Sequence, residues 1–448
     1  MAVLTAGAVC ASAADDPWAA LPQILKRIRP PKFPNRDFEI TRYGAKADGK
    51  TDCTIAFRDA IAAANKARGG RVVVPEGVFL TGAIHLKSDV NLHVSRGATV
   101  RFIPDPKLYP IVLTRYEGTE CLNYSPFFYA WEQQNIAITG PGTLDGQGGP
   151  DHWWNWTGRY NASPDANMRK ARARLIEMAD RGDPVEKRVF GDGWYLRPNF
   201  VQPYRSNNIL IEDVTIINSP MWELNPVLCR NVTIRNVNIN SHGPNNDGCD
   251  PESCIDVLID GCTFDTGDDC IAIKSGRNAD GRRLHAPCEN VVVQNCTMKD
   301  GHGGVTLGSE CSGDIRNVYA QDCKMDSPHL DRVLRLKTNA MRGGVMEHVY
   351  MRNVEAGEVA GYAIEVDFNY EEGERGTFIP VVRDIEVVNL KCRHSRGAWS
   401  LRGFAKAPIR DVRLRNCTFE KTERADVAEH VEGLSLKGVS INGKQVEG

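Results

Sequence analysis

From Gly69 onward, short β-branched and apolar runs at 71–75, 78–81 and 91–94 are separated by Gly, Asn and Asp, the pattern of strand after strand. A phrase close to N-V-x-I-x-N-C-x-F then recurs. The run Asn135-Ile136-Ala137-Ile138 introduces it, and copies start at Asn208, Asn231, Asp256, Asn290, Asn317, His348, Asp384, Asp411 and Gly433, at intervals of 22 to 36 residues. Within a copy the hydrophobic positions alternate, as at Val232/Ile234 and Val291/Val293, so one face of each strand points inward. A β-rich unit repeating at nearly fixed length, with insertions of variable size, predicts a solenoid whose coils bury their apolar faces against one another. The fold class read here is all-β, a parallel β-helix.

Ahead of the repeats, residues 14–37 carry Pro30, Pro31 and Pro34 and read as an extended lead-in. A strand over 38–43 and a turn over 44–49 lead to one helix. Thr51 or Asp52 can cap it, and Phe57, Ala60, Ile61 and Ala64 give it one buried face, suited to covering an end of the solenoid. Residues 38–448 read as a single β-helix domain, interrupted by an insertion at about 151–199. That insertion carries Trp153, Trp154 and Trp156 and a helix predicted from Ser163-Pro164 through Met168, Leu175 and Met178. The tryptophans suit sugar-stacking platforms and core caps equally well.

Composition changes this picture little. The 448 residues are 42% hydrophobic and 25% charged with net charge -2, an ordinary soluble composition that gives no reason to expect nucleic acid or a membrane surface as partner. Residues 1–10 are small and apolar, and Ala11-Ser12-Ala13 has the form of a signal-peptidase site. Residues 1–13 are therefore expected to be a signal peptide, and the protein to be exported, either periplasmic or extracellular. Fourteen cysteines would then suggest disulfides, but Cys262, Cys296, Cys323 and Cys417 hold the repeat position that Val214 and Val237 hold elsewhere. Core packing is the expectation for these four. No Cys/His set has zinc spacing, so neither a metal nor a cofactor is expected.

The candidate chemistry lies in GPNNDGCDPESCIDVLIDGCTFDTGDDCIAIKSG, residues 243–276. Its aspartates Asp247, Asp268 and Asp269 would repel if all were ionised, so one can keep a proton and serve as an acid beside a base. In a solenoid, residues one coil apart stack. Counting coils relates Asp247 to Asp268, Asp269 to His302 and His302 to Arg335. Alternation turns Ile271/Ile273, Val305/Leu307 and Leu334/Leu336 inward and leaves Lys274, Thr306, Arg335 and Lys337 outward. The assembled face would join carboxylates spaced for water-assisted glycoside hydrolysis, roughly 6.5–9.5 Å, to an Arg335/Lys337 pair for a substrate carboxylate. An acidic sugar polymer is the implied substrate.

Asn245-Asn246-Asp247, Gly267-Asp268-Asp269, Gly301-His302-Gly303 and Arg335-Leu336-Lys337 resemble, in order, the four signature motifs of the polygalacturonase family, glycoside hydrolase family 28. The resemblance implies a right-handed parallel β-helix and inverting hydrolysis of α-1,4-galacturonosyl links without a metal. It gives Asp268 the role of general acid, Asp247 and Asp269 that of activating water, and His302 an assisting role. Asn245, Arg335, Lys337 and Tyr370 would contact substrate. Asn246 stands where Thr is usual, and Leu336 where Ile is. YEGTECLNYSPFFYA, PVEKRVFGDGWYLRPNFVQ and INSPMWELNPVLC resemble the bacterial exo-acting branch, in which an insertion such as 151–199 could wall off one cleft end. Polygalacturonate or pectic oligosaccharides would be the partner. The competing readings are an endo-polygalacturonase, a rhamnogalacturonan or xylogalacturonan hydrolase, a calcium-dependent pectate lyase, and a non-catalytic carbohydrate-binding β-helix.

Overall fold

A computed structural model describes residues 16–160 and 168–448, so the expected signal peptide and the helix start at Ser163-Pro164 lie outside the described residues. The repeats coil into a parallel β-helix. Copies of the phrase pair in register, Val232 with Val257, Val257 with Val291 and Val291 with Val318, and each of these side chains is buried. A second strand type forms another face, where Ile271–Ile273, Val305–Leu307, Leu334–Lys337, Tyr362–Asp367, Gly397–Arg402 and Val427–Glu429 pair in that order.

The residue that opens each phrase has a physical task. Asn208, Asn231, Asp256, Asn290 and Asn317 all take left-handed backbone, with φ between 55° and 62°. Asn and Asp tolerate that conformation better than other side-chain-bearing residues. Their amides then bond along the stack, Asn208 Nδ2 to Asn135 Oδ1 at 3.0 Å and Asn231 Nδ2 to Asn208 Oδ1 at 2.8 Å. One polar ladder thus marks the corner where every coil bends.

The inward thiols behave as expected. Cys262, Cys296, Cys323 and Cys417 are buried and unpaired, as are the other described cysteines. Helix α2, Thr54–Lys66, buries Ala56, Phe57, Ala60, Ile61 and Ala64, and Asp52 Oδ1 accepts from the Thr54 N–H at 2.9 Å. The lead-in departs from the expected extended form: Leu21–Arg27 is a helix, α1. Trp18, Leu21, Ile24 and Ile28 pack on Val292, Tyr319 and Tyr350, which stack at outward positions of successive coils. Those large outward side chains left an apolar strip that the segment covers.

Candidate active site

The coil register decides which charges meet. Cys249 bridges Ile271, and Gly248 N–H donates to Asp269 O at 3.0 Å, so Asp247 stacks on Asp269 rather than on Asp268. His302 N–H donates to Asp268 O at 3.1 Å, which places the histidine over Asp268, not Asp269. Arg335 pairs with Thr306 rather than standing one coil beyond His302. Each shift has one cause: the loops between strands differ in length, and counting residues across them misses the rung by one or a few. The outward set is as expected, since Ile271, Val305 and Leu334 share an inward rung while Thr306 and Arg335 share an outward one.

Asp247, Asp268 and Asp269 each place a carboxylate oxygen within 4.8 Å of the others, closer than the separation expected from the sequence. Asp269 is fully buried and committed. Its Oδ2 accepts from Lys337 Nζ at 2.6 Å, and its Oδ1 accepts from Thr306 at 3.0 Å and from Arg335 at 3.4 Å. Burial opposes its ionisation, but Lys337, Arg335 and Lys274 outweigh burial and hold the carboxyl below the usual range. Gly303 makes room here, because a Cβ at that position would lie 3.1 Å from Asp269 Oδ1 and 2.3 Å from Thr306 Oγ1.

Asp247 is also buried, and its Oδ1 has no hydrogen-bond partner among the described residues. Burial, then Asp250 and Asp268, push its pKa well up, against the pull of Lys274. Asp268 differs: its side chain keeps 19% exposure, and Oδ1 meets His302 Nδ1 at 2.9 Å. That bond raises the His302 pKa, with burial acting the other way. The ammonium groups of Lys337 and Lys274 already supply cationic charge to the carboxylate cluster.

The expected substrate-side residues converge as well. The Tyr370 ring lies 5.7 Å from the Arg335 guanidinium and 5.2 Å from Lys337 Nζ. Asn245 borders the same cavity as Asp247, Asp268, Lys337 and Tyr370, and its Oδ1 accepts from Arg197 at 2.7 Å. Asn246 is buried beneath, where Oδ1 accepts from Ser241 and the Gly243 N–H and Nδ2 reaches Ser219 O and Met221 O. The amide thus ties down the turn that presents Asp247.

The sequence reading expected the insertion to wall off one end and missed the hairpin that joins it. Strands Ile111–Tyr116 and Thr119–Tyr124 form an antiparallel hairpin, where Thr114 donates to Gln202 and Leu113 O accepts from the Tyr129 hydroxyl at 2.6 Å. Arg115 bonds Glu252 at 2.6 Å with both side chains fully buried, and the tip ends where Arg277 N–H donates to Gly118 O at 3.0 Å. Helix α3, Met168–Asp180, brings Arg172 to Glu117 and Glu371, while Arg277 reaches Glu117 at 3.1 Å, Glu310 at 3.2 Å and Glu371 at 3.0 Å. The expected insertion supplies only part of this barrier; the hairpin tip supplies the rest. YEGTECLNY was its one trace in the sequence, and nothing in it disclosed the partners.

The tryptophans divide. Trp153 is buried against Tyr109 and Phe127, and Trp154 donates to Ser219 O at 2.8 Å, so these two support the core. Trp156 is half-buried against Tyr124 and Tyr195. The ring that borders the carboxylates is Trp222, 4.5 Å from Lys274 Nζ.

Residues 193–444 match the model of glycosyl hydrolases family 28, and residues 38–93 match that of rhamnogalacturonase A/epimerase, pectate lyase-like. The chain is similar to the crystal structure of a hyperthermoactive exopolygalacturonase from Thermotoga maritima, with 45% identity, TM-score 0.92, and 95% of this chain and 97% of that one covered. A probable polygalacturonase of Vitis vinifera is 28% identical over 88% of this chain and 77% of its own length. An exo-poly-alpha-D-galacturonosidase of Dickeya chrysanthemi is 29% identical over 74% of this chain and 57% of its own length.

Proposed function

The chain belongs to the glycosyl hydrolases of family 28, and from that premise we propose that it hydrolyses α-1,4-galacturonosyl links at a chain end of polygalacturonate, releasing galacturonate. The observation that carries the reading is a carboxylate cluster at the blocked end of a groove. Glu117, Arg172, Arg277 and Glu371 border the same cavity as Asp247, Asp268, Lys337 and Tyr370, and their ion pairs tie the hairpin tip and helix α3 to the coils there. In this reading that wall admits a polymer only by its end, and the released unit occupies the walled cavity.

In this reading Asp268, the carboxylate that solvent reaches, protonates the leaving glycosidic oxygen, and His302 holds its orientation. Asp247 and Asp269 draw the proton from the attacking water. Their short spacing from Asp268 would ordinarily suit a covalent intermediate. However, Asp269 is wholly buried with three donors on its oxygens, and Asp247 is 3% exposed, so each reaches an anomeric carbon only through a water. Inversion follows, and the first-formed sugar should be the β-anomer, read by proton NMR during early turnover. Arg335 and Lys337 pair the substrate carboxylate beside Tyr370, with Asn245 on the same rim.

A product time course on polygalacturonate tests the reading. Galacturonate alone at early times, without absorbance from an unsaturated product and lost in Asp268→Asn, is the expected result. Mixed oligomers would indicate internal cleavage, and ultraviolet absorbance would indicate elimination; either outcome overturns it. Export is proposed with it, from the Ala11-Ser12-Ala13 pattern. A secreted protein whose N-terminus is Ala14 would support cleavage there, and an intact Met1 would refute it.

A further inference from the structure

Lys274 Nζ lies 3.7 Å from Asp247 Oδ2 and 3.2 Å from Glu310 Oε2, and the residue is 2% exposed. The Trp222 ring sits 4.5 Å away on the Asp247 side. Asp247 also feels Asp250, Asp268, Asp269 and Glu223, all carboxylates. Of the two lysines near these groups, Lys337 is taken by Asp269 at 2.6 Å. Neither carboxylate oxygen of Asp250 has a hydrogen-bond partner among the described residues. A carboxylate buried among like charges takes a proton unless a cation stands beside it.

We propose that Lys274 is a positioning residue for hydrolysis, the cation that offsets burial and the neighbouring carboxylates at Asp247, so that Asp247 gives up its proton at a lower pH than it otherwise would and can accept one from the attacking water. The inference rests on the role of Asp247 given above. It goes beyond that role by naming what sets the protonation state. Glu310 tunes the effect, because it competes for the same ammonium group while Arg277, at 3.2 Å, and Ser309, at 3.3 Å, hold it in place. Burial opposes the charge of Lys274, and Asp250, Glu310 and Asp247 more than restore it, so the cation persists through the neutral range.

The sign is fixed by electrostatics. Removing Lys274 raises the Asp247 pKa, so the acid limb of kcat/KM moves to higher pH. Removing the charge of Glu310 moves it lower. In Lys274→Met the limb should rise by about one pH unit or more, a roughly tenfold loss of kcat/KM at pH below the wild-type limb. Lys274→Arg should restore most of it, and Glu310→Gln should shift the limb the opposite way. An unmoved limb with a raised KM would make Lys274 a substrate contact and overturn the proposal, as would equal loss in the Met and Arg variants with unchanged melting. Should Lys274→Met fail to fold, the direction of the Glu310→Gln shift decides. The same change is read without substrate by infrared titration of the carboxyl stretch, taking each protein against its Asp247→Asn counterpart. A failure to cleave polygalacturonate with the infrared shift intact would refute the proposed substrate and leave the Lys274–Asp247 coupling standing; absence of the shift would refute the coupling itself.

Discussion

His302 carries a proton to higher pH than a free histidine because Asp268 accepts from it, and the two are joined at 2.9 Å. Asp268→Asn should therefore lower the His302 pKa toward about 6.5, read by NMR titration, and reduce kcat by about 100-fold or more. Because the folded pKa of His302 is raised, its stabilising contribution is fully present below the unfolded value and is lost as pH rises through the folded one. Glu223 is an acid rather than a base, but its linkage has the same sign. It is buried, and burial with Asp247 pushes its carboxyl pKa well up. The unfolded chain gives up that proton first, so the wild type loses stability as pH rises from the unfolded pKa to the folded one. Glu223→Gln should gain relative stability at pH 7 over pH 4, about 1.4 kcal/mol for each pH unit of that interval crossed, measured by thermal melting at both pH values. The catalytic aspartates were legible as residues because their motifs are local. Glu223 and Asp250 were not, and Lys274 was legible only as an outward residue, because a lysine or a carboxylate in the chain says nothing of what faces it.

At the scale of the element, the repeat phrase was readable because its polar opening residue and its alternating hydrophobics answer to one geometry. Asn231 shows both parts. It holds φ 55°, bonds Asn208 at 2.8 Å, and takes the lead-in through Arg29 N–H and Arg29 O, each at 2.8 Å. Asn231→Ala should cost about 1–3 kcal/mol in chemical denaturation, and Asn231→Gly less, because glycine restores the backbone while losing the bonds. The inward ladder predicts differently. Cys296 packs between Cys262 and Cys323 on a rung that other coils fill with valine, so Cys296→Val should stay within about 1.5 kcal/mol of wild type. Helix α1 escaped the sequence reading because Pro30, Pro31 and Pro34, which follow it, suggested extension for the whole lead-in, and the strip it covers is assembled from side chains more than 200 residues away.

The whole molecule matters most at the closed end of the groove. Arg172 comes from the insertion, Glu117 from the hairpin tip, Arg277 from a loop after a coil strand, and Glu371 from another coil. Buried and half-buried ion pairs of this kind are costly to break singly, because the partner left behind stays uncompensated. The double variant Arg172→Ala with Glu117→Ala removes a charge of each sign at the barrier. It should let the chain pass, and the early products on polygalacturonate should change from galacturonate alone to include short oligomers, read by chromatography.

The sequence by itself determined the repeat, the inward and outward faces, and the chemical identity of Asp247, Asp268, Asp269, His302, Arg335 and Lys337, because period-two alternation and short motifs are properties of neighbouring residues. Only the tertiary structure decided that Asp247 stacks on Asp269 and His302 on Asp268, how near the carboxylates lie, and which segments close the groove. Register across coils depends on loop lengths that vary from turn to turn, and a barrier built of opposite charges from distant segments leaves no periodic trace in any one of them.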